Sequence, residues 1–158
     1  MTERRERRRG GGAIDVLLVE DNPGDQDLTR EAFKMGKITN TLHIVDDGEK
    51  AMEFLYKQGQ YKDAPRPGII LLDLNLPRKD GREVLAEIKQ DASLKTIPVV
   101  VLTTSDSDKD ILTSYELSAN CYLTKPVELD SFLDAIQVLE QFWLTLVRLP
   151  ASSNRSAD

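Results

Sequence analysis

The stretch Gly68-Ile-Ile-Leu-Leu-Asp73-Leu-Asn-Leu-Pro77 constrains the fold more tightly than any other part of the chain. Uncharged residues run straight into a carboxylate, and a proline follows four positions later. So short an apolar run, entered through Pro65 and Pro67, suits a strand buried on both faces of a parallel sheet. Asp73 then stands where the strand ends, the edge at which open α/β sheets carry their chemistry. A carboxylate placed there costs free energy unless another charge balances it.

Two other stretches bear on that balance. Asp15-Val-Leu-Leu-Val-Glu20-Asp21-Asn-Pro has the form of a second buried strand, ending in adjacent acids. Cys121-Tyr-Leu-Thr-Lys125-Pro126 ends a short strand in a lysine. If these strands are parallel neighbours, their carboxyl ends bring Glu20, Asp21 and Asp73 together, with Lys125 alongside. Carboxylates at roughly 4 Å repel by about 4 kcal/mol per pair at an effective dielectric near 20. A divalent cation relieves such crowding, and an all-oxygen donor set with few protein groups favours Mg²⁺.

In chain order, residues 14–19 form the first strand. Asp25 is a candidate N-cap for a helix reaching Met35, whose buried face is Leu28, Ala32, Phe33 and Met35. Residues 41–45 form a second strand, and Asp46-Asp-Gly48 turns it into a helix with Ala51, Met52, Leu55 and Tyr56 as its apolar side. His43 lies within that strand; a histidine that relays phosphate needs an exposed helix, so His43 reads as structural. Residues 58–67 are a polar loop before the third strand. Asp80-Gly81 opens a third helix with Val84, Leu85 and Ile88 inward, and Gly81 suits a position with no room for a Cβ. Residues 97–103 are a fourth strand, 105–118 a polar helix, 121–124 a fifth strand, and a long helix starts near Leu129. Strands alternating with helices in this way predict an α/β fold with a doubly wound five-stranded parallel sheet.

The chain has 158 residues, 40% of them hydrophobic, which suits a single domain with a proper core. No apolar run approaches the roughly 18 residues that a membrane span needs, and no apolar segment follows the N-terminal arginines as a secretory signal would require. A lone cysteine, Cys121, allows no internal disulfide and fits a cytoplasmic setting. The net charge of −6 is uneven: residues 1 to 9 hold five Arg against two Glu, leaving the rest acidic and ill-suited to nucleic acid. The expected organisation is a disordered basic tail over 1–12, one domain over 13–149 and a disordered tail over 150–158.

The acid pair after the first strand, Asp73 after the third, Thr103 after the fourth and Lys125-Pro126 after the fifth resemble the receiver domain of two-component response regulators. The resemblance runs from about residue 15 to 139. It implies a flavodoxin-like receiver fold with Asp73 as the phosphoacceptor. It also implies Mg²⁺ held by Asp21, Asp73 and the backbone carbonyl of Asn75, with Glu20 acting through a metal-bound water. Glu20 stands where the family most often has aspartate. Lys125 is implied to pair with Asp73 and then with the phosphate, and Thr103 to bond a phosphoryl oxygen. Thr104 occupies a position where the family prefers a small residue and shapes access, while Tyr122 matches the switch aromatic.

More narrowly, Val45-Asp-Asp-Gly48, Ala51-Met-Glu-Phe-Leu55, the Pro-containing loop and Gln141-Phe-Trp143 are similar to single-domain regulators that partner bacterial phytochromes. The implied function is a stand-alone response regulator that receives a phosphoryl group from a sensor histidine kinase. It would not be an enzyme beyond Mg²⁺-dependent self-phosphorylation and slow dephosphorylation. The competing expectation is a receiver-like interaction module that is never phosphorylated; such modules usually lose the acceptor, the lysine or the acid pair, and here all stand. An aspartate-dependent phosphohydrolase would want a second acid two residues after the nucleophile, where this chain has Asn75.

The last helix adds one more expectation. Leu129, Phe132, Ile136, Leu139, Trp143 and Leu146 keep helical spacing and can cover the sheet. The extended end, Phe142-Trp-Leu-Thr-Leu-Val-Arg-Leu149, is too apolar to stand in water alone. A homodimer through Phe142, Trp143 and Leu146 would cover it.

Overall fold

The apolar runs become the strands of one sheet. In this computed structural model, residues 15–35, 41–103 and 121–124 and positions 130, 131 and 134 are described. Strands β1 (Asp15–Val19), β2 (Thr41–Val45), β3 (Ile69–Asp73), β4 (Val99–Thr103) and β5 (Cys121–Thr124) pair in the order β2-β1-β3-β4-β5, all parallel. Helices α1 (Pro23–Met35), α2 (Gly48–Tyr56) and α3 (Gly81–Gln90) connect them. The expected tails, the polar helix over 105–118 and the apolar end with Phe142, Trp143 and Leu146 lie outside the described residues. Among the described residues no helix is long and apolar enough to cross a membrane.

Alternation along the strands splits the core into two layers. Leu17, Val19, Ile70, Leu72, Val99 and Val101 pack with Ala51, Met52, Phe54 and Leu55 of α2 and Val84, Leu85 and Ile88 of α3. Val16, Leu18, Ile69, Leu71, Val100 and Leu102 pack on the other side with Ala32 and Phe33 of α1. With helices on both faces, β1 and β3 are buried along almost their whole length, which explains why their sequences carry no polar alternation.

The structure departs from the sequence pattern at Asp25, Leu28 and Tyr56. Asp25 does not cap α1. The helix begins at Pro23, and Asn22 is the cap: its side-chain oxygen accepts from the Asp25 amide at 2.9 Å, and its carbonyl accepts the first helical bond from Gln26 at 2.9 Å. Proline at the first helical position has no amide to satisfy and a φ already suited to the helix. Leu28 is 43% exposed; among the described side chains of α1, the buried ones, Ala32 and Phe33, lie in its C-terminal half. In α2, Tyr56 is exposed and Phe54 takes its place in the core, where its ring packs against His43 and Tyr61 at 5.4 and 5.5 Å. His43 has the structural role expected of it, its Nε2 lying 2.9 Å from Asp15 Oδ1 across the β1–β2 pair.

The starts of α2 and α3 are fixed by caps and close packing. Asp47 caps α2 by accepting from the Lys50 amide at 2.7 Å. Asp80 and Glu83 form a reciprocal capping box on α3, satisfying two amides that the helix itself cannot. A Cβ on Gly48 would lie 1.9 Å from the Lys79 carbonyl oxygen, and one on Gly81 would lie 2.3 Å from the carbonyl oxygen of Asp73. Both helices therefore start against the loop that leaves β3.

These contacts make two expectations measurable by urea denaturation. Gly81→Ala should lower stability by about 1–3 kcal/mol, since the added methyl meets backbone that cannot swing aside. Leu28→Gln should change stability by less than about 0.5 kcal/mol, whereas Phe33→Ala should cost about 3–5 kcal/mol.

Candidate functional site

The strand order reverses direction at β1 and β3: the chain steps outward from β1 to β2, then returns across β1 to place β3 on its other side. Such a switch point leaves a crevice at the carboxyl ends of the strands, where neighbouring connections part to opposite faces. Val19 of β1 is in register with Leu72 of β3, so Glu20 and Asp73 are the next residues out on adjacent strands. Sheet geometry thus brings together acids that are more than fifty residues apart in sequence.

One carboxylate oxygen from each of Glu20, Asp21 and Asp73 lies within 4.8 Å of the other two. Glu20 is 1% and Asp73 2% exposed, while Asp21 faces solvent. Two buried acids and one exposed acid make a cluster closed on the protein side and open on the other. The donor set is entirely oxygen, as a hard divalent cation requires. Asp73 Oδ1 accepts from the Asn75 amide at 3.2 Å, which draws the start of the β3–α3 loop around the carboxylate. The Gly81 amide donates to the Leu74 carbonyl at 3.0 Å and closes that loop at its base.

The Glu20 segment is held from several directions. Its amide donates to Val45 of β2 at 3.0 Å, its Oε2 accepts from the Asn22 amide at 3.3 Å, and its carbonyl accepts from Gln26 Nε2 at 2.6 Å. Neither Asn22 nor Gln26 stands out as a site residue in the sequence. The Asn22-Pro23 pair, a cap followed by a first-turn proline, is the signal from which Asn22 could have been found.

Among the described residues, Lys50, Lys79 and Arg78 face acids outside the cluster. Lys50 Nζ is 2.8 Å from Asp46 Oδ1, which holds the Asp46 carboxyl below its ordinary range and lifts the Lys50 ammonium above its own. Lys79 Nζ is 2.8 Å from Glu87, and its pKa is likewise raised by that hydrogen bond. Arg78 reaches the buried cap Asp47 at 3.6 Å and Glu49 at 4.0 Å, from a backbone at φ 68° that non-glycine residues rarely adopt. Arginine at position 78 carries no residue-type signal for that conformation.

The remaining expected site residues divide in two. Thr103 ends β4 one position beyond Leu102, the register partner of Asp73, and is itself paired with Thr124 of β5. Tyr122 is half-buried and packs against the α2–α3 side of the core. Thr104 and Lys125 lie outside the described residues; Lys125 directly follows Thr124.

Comparison with known proteins agrees with this geometry. The response regulator receiver domain family matches residues 16–137. Response regulator Rcp1 of Synechocystis sp. is 56% identical over 137 residues, covering 87% of this chain and 93% of that protein. The Mn²⁺-bound structure of response regulator Rcp1 superposes with a TM-score of 0.70 at 55% identity, covering 83% of this chain and 94% of that one. The phosphorylated cyanobacterial phytochrome response regulator RcpA gives a TM-score of 0.70 at 48% identity, covering 85% and 96%. The chain belongs to the response regulator receiver domain family.

Proposed function

We propose that this response regulator accepts a phosphoryl group on Asp73 from a sensor histidine kinase of the phytochrome type. The observation that carries the reading is the convergence of Glu20, Asp21 and Asp73 within 4.8 Å at the strand ends. The relatives support it: one is Mn²⁺-bound and another is a phosphorylated phytochrome response regulator.

In the proposed step, an oxygen of Asp73 forms a bond to phosphorus as the bond between phosphorus and the donor nitrogen breaks, leaving an acyl phosphate. Asp21, Asp73 and the carbonyl of Asn75 would hold Mg²⁺, with Glu20 engaging it through water. When bound, the cation offsets charge on the transferring phosphoryl group, the main requirement of such transfer. Burial of Asp73 limits the directions from which a donor can approach, and the open side at Asp21 is the remaining route. Thr103 and Lys125 are the candidates for bonding the phosphoryl oxygens, with Thr104 shaping access and Tyr122 responding from β5. The regulator acts as a phosphoacceptor rather than as an enzyme on a separate substrate, and its setting is cytoplasmic. The apolar stretch around Phe142, Trp143 and Leu146 supports a homodimer through the last helix.

Three measurements test this reading. Incubation with acetyl phosphate and Mg²⁺ should add a single phosphoryl mass, absent in chelator and in Asp73→Asn; a gain that persists in either overturns the assignment. Asp73→Asn should also raise stability in chelator, because it removes one of three crowded charges. For the assembly, the wild type should sediment as a dimer at tens of micromolar, and Phe142→Asp with Leu146→Asp as a folded monomer. A wild type that sediments as a monomer overturns the dimer.

A further inference from the structure

The peptide that joins Glu20 to Asp21 is the shortest covalent link within the acidic cluster, and its orientation sets where both side chains leave the backbone. At this point β1 has ended, so the sheet no longer holds the chain from both sides. The amide of Glu20 is still anchored to Val45 of β2 at 3.0 Å. Its carbonyl is instead gripped by a side chain: Gln26 Nε2 donates to it at 2.6 Å from the second turn of α1.

We infer that Gln26 is a positioning residue for the cation site, fixing the Glu20–Asp21 peptide so that both carboxylates are presented in register with Asp73. This rests on the reading of Glu20, Asp21 and Asp73 as a cation site. The carbonyl oxygen gripped by Gln26 lies on the peptide plane from which Asp21 begins, so holding it restricts rotation about the bonds on either side. Asp21 is the exposed member of the cluster and has no surrounding core to fix it, so its direction depends on that plane. The grip is itself anchored: the Gln26 amide donates to the Asn22 carbonyl at 2.9 Å, and the Asn22 side chain caps the same helix at the Asp25 amide. Helix, cap and Glu20 thus form one closed ring of hydrogen bonds, completed by the Asn22 amide on Glu20 Oε2 at 3.3 Å. The glutamine suits the task because its amide donates without adding charge, whereas a lysine there would compete with the cation for the acids. Groups that orient metal ligands from outside the coordination sphere typically change metal affinity by about 10–100-fold when removed.

The test uses the full chain, with Mg²⁺ titrations followed by amide chemical shifts, and urea denaturation in chelator as a separate readout. Gln26→Leu and Gln26→Met both remove the donor while keeping a side chain suited to a helix. Both should bind Mg²⁺ about tenfold more weakly, yet unfold in chelator at the wild-type urea midpoint. Unchanged Mg²⁺ affinity in either folded variant overturns the inference. So does a loss of affinity that merely tracks a lower midpoint in chelator, since Gln26 would then serve the fold alone. A wild type with no saturable Mg²⁺ shifts overturns the cation-site reading itself, and the inference with it.

Discussion

Electrostatic crowding at the carboxyl ends of β1 and β3 is the constraint on which the rest of this molecule depends. Three carboxylates converge there, two of them out of contact with solvent. Carboxylates do not gather spontaneously, and the free energy that holds them in place comes from elsewhere. It comes from the two apolar layers, which bury β1 and β3 along almost their entire length. Each kilocalorie of core packing that keeps those strands adjacent also keeps like charges together. The apolar layers in the middle of the sheet thus set the positions of the acids at its edge. A hard cation held there would turn repulsion into coordination.

The features most legible in the sequence were those that depend on burial. Runs such as Ile69-Ile-Leu-Leu72 and Val99-Val-Val-Leu102 are unusual enough in composition to announce double-sided strands, and acids at their ends follow directly. Helix faces were harder. Leu28 has the right spacing to share a face with Ala32, yet α1 reaches the sheet only near its C-terminal half, and spacing cannot reveal where along its length a helix makes contact. Tyr56 sits five residues after Ala51, far enough around a 3.6-residue turn to leave the buried arc, while Phe54 at three residues remains within it. Asn22 and Asp25 both have capping chemistry, and only the proline between them separates the two.

The β3–α3 loop is held more tightly than its polar sequence suggests. Gly48 admits the Lys79 carbonyl, Gly81 admits the backbone of Asp73 and Leu74, and the buried Asp47 draws in Arg78. Arg78 adopts a left-handed backbone that costs roughly 1–2 kcal/mol for a residue with a Cβ. The loop is thereby tied at once to α2, to α3 and to the end of β3. Asn75, which contributes an amide to Asp73, is suspended between these ties rather than hanging free.

The double burial of β3 carries a further consequence for how the sheet assembles. On a strand with one wet face, a slip of one residue exposes the whole apolar set and corrects itself. Ile69, Ile70, Leu71 and Leu72 have no such safeguard, since either face of this sheet accepts any of them. What remains to mark the correct alignment is the charge at the end. Sliding β3 inward by one position would drag an aspartate between two hydrophobic layers, at a cost of several kcal/mol for an uncompensated ion. Asp73 therefore acts as a stop for β3, and the carboxylate at the centre of the acidic cluster tells the strand where to halt.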